Sequence, residues 1–290
     1  GDCFYVTAYE PQMLDLQKDL QVDIQTPGIY MFRPHNGNWQ IEAADPTHKQ
    51  RFLSLKMNGQ DVKIVFPPCH EPGKSISVQP FISAPFVKGI NVDGKHDDWK
   101  IAPVVTGLTA PWDGAKKDET AFYVCHDKKN LYFLYVVSDT TLVYNEEKTE
   151  ASVGNGDRIE FFMSKDPEMK TYYCAEIDPQ GKVMDYEAHN YRKFDFNWNF
   201  KDLKLATYVG KDSYRVEGSI SLKSLKELGL ISPDGEIRMG VYRADYFGDA
   251  KDSVIWSSWI VPDAAEPDFH IPSSLGILKL ENFVPLSQLK

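Results

Sequence analysis

The stretch Asn155-Gly156-Asp157-Arg158-Ile159-Glu160-Phe161-Phe162-Met163-Ser164-Lys165 joins a turn signal to a strand whose two faces differ. An Asn-Gly pair favours a tight turn, so it fixes where the strand begins. Read at period two, Ile159, Phe161 and Met163 fall on one face, and that face is core. Arg158, Glu160 and Phe162 fall on the other. A cation, an anion and an aromatic ring on one side of a strand suit a sheet face covered by loops or by a ligand.

The same rhythm extends in both directions. Upstream, residues 120–126 and 131–137 read as strands separated by the polar turn Asp127-Lys-Lys-Asn130, and the second is apolar on both faces, which places it centrally in its sheet. Downstream, residues 171–177, 181–186, 203–209, 213–220, 237–242 and 275–280 read the same way. Only residues 221–228 have helical spacing, with Gly229 as the stop. Nearer the start, strands are expected at 28–33, 36–42, 52–57 and 62–66, the last two joined by an Asn58-Gly59 hairpin. Prolines 67, 68, 72, 80 and 85 then interrupt regular structure. The chain thus reads as all-β: a smaller β-rich unit of unassigned role over residues 1–84, then an antiparallel, jelly-roll-like β-sandwich over 85–290.

Composition narrows the function. The 290 residues are 42% hydrophobic, ample for buried cores, and the formal charge of -10 repels phosphate backbones and anionic lipid. Neither a nucleic-acid role nor a membrane span is expected, since no run of ~18 apolar residues occurs. The opening Gly1-Asp2-Cys3 reads as a trimmed start, so a secreted, periplasmic or cell-surface protein whose leader has been removed is expected. Cys3, Cys69, Cys125 and Cys174 form no C-x-x-C pair, against zinc; Cys125 and Cys174 lie in expected strands as small buried hydrophobes. Aromatic residues make up 13% of the chain, and some of these rings are expected to be exposed.

Several stretches together resemble one family. Val92-Asp93-Gly94 with Asp98-Trp99, the strand from Asn130 to Asp139, Gly156-Asp157-Arg-Ile-Glu160, Glu176-Ile-Asp-Pro-Gln-Gly181, Tyr214-Arg-Val-Glu217, Gly240-Val-Tyr-Arg243 and Pro267-Asp-Phe-His-Ile-Pro272 before Leu275-Gly276 are similar, in order, to family 9 carbohydrate-binding modules and their Bacteroidetes relatives. The resemblance covers about residues 86–282. It implies a β-sandwich that binds plant-polysaccharide chains or small sugars, without catalysis of its own, associated with glycan-degrading enzymes such as xylanases. In the family two tryptophans clamp a sugar ring beside an acid. Glu160 matches the acid and Phe269 the second ring, whereas the first would fall near Val153 or Gly154, where no aromatic stands.

Sugar rings have apolar faces that stack on aromatics and hydroxyls that need charged or polar partners at the rim. The candidate ligand-binding residues are therefore Phe269, His270, Glu160, Arg158, Glu176 and Arg243. To these are added Trp198, Phe196 and Tyr191 from the aromatic loop 190–199, any of which is placed to replace the absent ring. His270 is expected to be exposed, Arg243 to be either a buried pairing partner or a ligand contact, and Trp99, Trp256 and Trp259 to be packing anchors. Trp112 is a minor loop candidate. No cofactor is expected, except that the resemblance implies structural calcium. Asp139, Glu146, Glu147, Asn155 and Asp157 supply oxygen ligands around one inter-strand loop, with Asp139 and Asp157 as the named candidates. The rival reading is a glycoside-degrading enzyme using Glu160 and Glu176 as paired carboxylates. A haem-binding relative and a purely structural surface protein complete the range of functions open to such a sandwich.

Overall fold

In the computed structural model, residues 80–247 and 253–283 are described in full, and within residues 1–79 the course of the strands is described. The chain divides into two compact units, Gly1–Ile82 and Ser83–Lys290.

The smaller unit holds two four-stranded antiparallel sheets. One runs in the order β1 (Phe4–Ala8), β4 (Gly28–His35), β5 (Asn38–Ala43) and β8 (Ser75–Ser77). The other runs β2 (Gln12–Gln17), β3 (Leu20–Ile24), β6 (Arg51–Met57) and β7 (Gln60–Phe66). Met57 pairs with Gln60, which leaves two residues for the β6–β7 hairpin turn. Asn58, Gly59, Cys3 and Cys69 themselves lie outside the described residues.

Strand β9 (Phe81–Ala84) crosses the division, and the larger unit continues with β10 (Val105–Ala110), β11 (Lys116–His126) and β12 (Asn130–Ser138), followed by β13 (Arg158–Ser164), β14 (Thr171–Ile177), β15 (Val183–His189) and β16 (Lys193–Asp195). Then come β17 (Lys204–Val209), β18 (Ser213–Ser221), β19 (Glu236–Tyr246), β20 (Val254–Ser258) and β21 (Gly276–Leu280). The strands run in the order β16-β15-β14-β13-β19-β20-β10-β11-β12-β18-β17, and β21 pairs with the first residues of β19. The sheet curls back on itself, so β12 packs over β13: Phe133 meets Phe161 edge-on at 5.1 Å, and the Tyr135 hydroxyl donates to the Glu160 carbonyl at 3.0 Å. This is the antiparallel β-sandwich expected from the strand pattern.

Periodicity explains the core. Ile159, Phe161 and Met163 are fully buried between the layers, and β12 is central, flanked by β11 and β18 and apolar on both faces. Each large ring enclosed there contributes roughly 1.5–3 kcal/mol by leaving water. Helix α1 (Leu222–Glu227) is the expected single helix. Ser221 caps it by accepting from the Ser224 N–H, and Gly229 at φ +74° ends it. Cys125 and Cys174 are free and buried, as their strand positions imply.

Candidate functional site

The polar face of β13 looks into a hollow of about 390 Å³ floored by β13, β14, β15 and β20 and walled by the segments around residues 190–196 and 267–270. Register builds the floor. Glu160 lies opposite Glu176 on β14 and Tyr242 on β19; Arg158 lies opposite Ala244, which lies opposite Trp256 on β20. Arg158, Glu160, Glu176 and Trp256 thus share one face.

Arg158 is the centre of the charge arrangement. Its Nε sits 2.7 Å from Glu176 Oε2 and 2.8 Å from Glu160 Oε1, and its Nη1 donates to the carbonyls of Gly154 and Gly156. Its guanidinium stands 5.1 Å from the Trp256 ring centre. The other Glu176 oxygen accepts from the Tyr186 hydroxyl at 2.8 Å. Burial, and then the neighbouring Glu176 charge, push Glu160 up to about 8 against the pull of Arg158, so Glu160 is protonated at neutral pH. Beyond its ion pair with Arg158, Glu160 Oε1 makes no hydrogen bond among the described residues. Two carboxyls flanking a cleft invite comparison with a glycosidase pair. Here both carboxyls contact one nitrogen, so the guanidinium lies between them.

The lip is a second ionic cluster. Asp268 accepts from the Tyr191 hydroxyl at 2.5 Å, from Arg192 Nη2 at 2.8 Å and from the His270 N–H at 2.9 Å, which ties the two wall segments together. These donors hold Asp268 below the usual carboxylate range despite its burial.

The structure brings six of the candidate residues, Phe269, His270, Glu160, Arg158, Glu176 and Phe196, to this hollow. Tyr191 is 53% exposed and reaches the rim through Asp268. Trp198 is not among the lining residues; it tilts over Tyr173 at 4.6 Å and meets Phe200 at 4.7 Å. His270 is not exposed as expected: its ring stacks on Phe162 at 4.8 Å, its Nδ1 meets the Tyr172 hydroxyl at 3.0 Å, and burial pushes it down to about 3. The proline-flanked loop folds inward because Phe269 inserts beneath it. Phe269 is itself 6% exposed and stacked flat on Tyr242 at 4.2 Å.

Arg243 lies on the opposite face, in line with Ile159, and opens into a second cleft of about 500 Å³. There it bonds Asp118 and Asp139, each at 2.7 Å, and stands 3.2 Å from Asp245. Of the two readings left open for Arg243, the geometry matches the buried pairing partner. Trp256, Phe194, Tyr186 and Arg192 also line the hollow, and none of the four stands out as a site residue in the sequence. Trp256 reads there as a packing anchor. Trp99 is 3% exposed and donates to Glu217, and Trp112 packs against Phe269 at 5.7 Å.

The carboxylate oxygens of Asp139, Asp157 and Asp245 lie within 4.8 Å of one another. Oxygen-only donors match the preference of calcium. Burial and the neighbouring Asp139 and Asp245 charges push Asp157 up to about 7, although it accepts from the Val143 and Tyr246 N–H groups, and this crowding is what a divalent cation relieves. The trio fits the ion in donor chemistry.

Comparisons bear on the whole unit. The carbohydrate family 9 binding domain-like family matches residues 92–283. A candidate carbohydrate-binding protein from Bacteroides uniformis aligns with a TM-score of 0.56 at 18% identity, over 69% of this chain and 99% of that one. A family 9 module from Caldicellulosiruptor kristjanssonii solved with cellotriose aligns at 15% identity and a TM-score of 0.49, over 71% and 95% of the two chains. The same organism's module solved with glucose gives 16%, 0.49, 71% and 97%. No curated protein matches the chain. Among the described residues no helix is long and apolar enough to cross a membrane. The match spans well over half of the chain, and the chain belongs to the carbohydrate family 9 binding domain-like family.

Proposed function

We propose that the larger unit binds a saccharide derived from plant polysaccharide, without cleaving it, in the hollow over β13. The observation that carries this reading is a strip of hydrogen-bonding groups, Arg158, Glu160 and Glu176, set among the aromatic rings Phe194, Phe196 and Trp256 in one cavity. A pyranose offers both kinds of surface.

On the same reading the protein is exported, to the periplasm, cell surface or medium, and works beside glycan-degrading enzymes. A structural calcium would be held by Asp139, Asp157 and Asp245.

Calorimetric titration of mono- and oligosaccharides tests the binding. Saturable uptake of at least one neutral sugar is expected, weakened in Arg192→Ala at the exposed lip. Failure of every sugar up to millimolar concentration would end the reading. For the ion, 1 mM calcium is expected to raise the thermal midpoint, EDTA to reverse the gain, and Asp157→Asn to abolish it. An unchanged midpoint removes calcium.

A further inference from the structure

We propose that Phe196 and Trp256 are the rings on which the bound saccharide stacks, so that the hollow takes two or more linked sugars rather than one. This rests on the carbohydrate reading above and deepens it. A stacking ring needs an open face. Phe269 has none to offer: Tyr242 covers one face in a parallel stack tilted by 12°, while Trp112 and the edge-on Trp256 close around the rest. Phe196 differs on every count. It is 50% exposed, borders the hollow, and is held at 5.0 Å from Tyr186 and 5.6 Å from Phe194. A large ring kept in place by other rings and left open to water is an unusual expense unless something covers it.

Trp256 is half-buried, with the Arg158 guanidinium 5.1 Å from its ring centre. Its neighbours leave it in the lining of the same hollow.

Strand order separates the two rings. Trp256 stands on β20 and Phe196 just beyond β16, with β15, β14, β13 and β19 between them. Arg158, Glu160 and Glu176 project from the middle of that span. Strands lie about 4.8 Å apart, so the four intervening strands set the two rings toward opposite ends of the floor. Apolar faces at the two ends and a polar strip between them match a short chain whose sugars alternate stacking faces with hydroxyl rims. At Gly154 the lining has no side chain at all, and an added Cβ would meet only the Met184 Cε at 3.7 Å. No further ring closes the hollow from that loop.

The test is calorimetry on the whole chain with glucose and xylose, and with their β-1,4-linked dimers and trimers, for wild type, Phe196→Ala, Trp256→Phe and Trp198→Ala. Thermal midpoints confirm that each variant is folded. Wild type is expected to bind a trimer about tenfold more tightly than its monosaccharide. Phe196→Ala should lose about three- to tenfold on the trimer and little on the monosaccharide. Trp256→Phe should lose less, and Trp198→Ala nothing. Tryptophan fluorescence should shift on binding in Trp198→Ala and stay flat in Trp256→Phe. A Phe196→Ala protein that binds every sugar as wild type does, or a wild type that prefers the monosaccharide, overturns the inference while leaving carbohydrate binding intact. A wild type that binds no sugar overturns both.

Discussion

At the scale of single residues, the protonated Glu160 sets how the protein responds to pH. Its folded pKa, about 8, lies above the ordinary 4.5 of an unfolded glutamate, so between those values the folded state holds a proton that the unfolded chain has released. Stability from this group is therefore fully present below about pH 4.5 and is lost as pH rises through 8. Because Glu176 shares Arg158, the proton belongs to the pair. Glu160→Gln mimics the protonated form and should flatten the decline of unfolding free energy between pH 5 and pH 9, with stability near pH 5 within about 1 kcal/mol of wild type. Asp157 adds a decline of the same sign in both proteins, so the difference between them reports Glu160. A variant as steep as wild type in urea titrations at pH 5, 7 and 9 would show that the acid is ionised in the fold. The face that carries Glu160 is legible in the sequence, since parity alone puts it with Arg158 and away from Ile159. Its protonation is not, because that depends first on burial and then on Glu176 lying opposite, and neither the covering layers nor register across strands is written in one strand.

At the scale of elements, Glu217 on β18 secures the opening loop of the larger unit. It is fully buried; Oε2 accepts from the Asp93 and Gly94 N–H groups at 2.8 and 2.7 Å, and Oε1 from the Trp99 indole at 2.8 Å. This explains physically why Val92-Asp93-Gly94, Trp99 and Tyr214-Arg-Val-Glu217 occur together in the sequence. Glu217→Ala takes the acceptor from three donors, of which those of Gly94 and Trp99 are buried, and should cost about 3 kcal/mol in urea unfolding. Ser221→Ala, which removes the cap of α1 and an exposed hydrogen bond to Asp202, should cost about 1 kcal/mol. Equal losses in the two variants would mean that the loop is held by something other than Glu217. Elements with strong periodicity, β11, β12, β13 and β18, are readable from the sequence alone. Strand β20 is not: its Val254–Ser258 segment is short and ends in two serines, so it carries little alternation, yet it brings Trp256 to the site. Phe194 and Phe196 are readable as an aromatic loop, but which of its rings face the hollow depends on the short β15–β16 pairing, where Ala188 meets Phe194.

At the scale of the whole molecule, the division between Ile82 and Ser83 separates two sets of strands, each with its own pairing. Prolines 67, 68, 72, 80 and 85 are readable in the sequence as breaks in regular structure, whereas the circuit of strands in the larger unit follows from which faces must be covered and cannot be ordered from local pattern. Every group assigned to the hollow, and the whole span matched by the family, belongs to the larger unit. Its core is closed by its own layers: Phe133 and Tyr135 of β12 pack over β13, while the Glu281 N–H donates to the Ala84 carbonyl at 2.9 Å and joins its last described segment to its first. A chain of this size with such a core has enough enclosed apolar surface to fold alone. A fragment of residues 80–290, which keeps β9 whole, is accordingly expected to unfold in one cooperative urea transition and to bind the same sugars with the affinity of the full chain. The smaller unit would then act by adding a second function or setting the spacing to a neighbour, not by completing the site. A fragment that melts broadly, exposes apolar surface to a hydrophobic dye, or loses saccharide binding while the full chain retains it would show instead that residues 1–79 stabilise the binding unit.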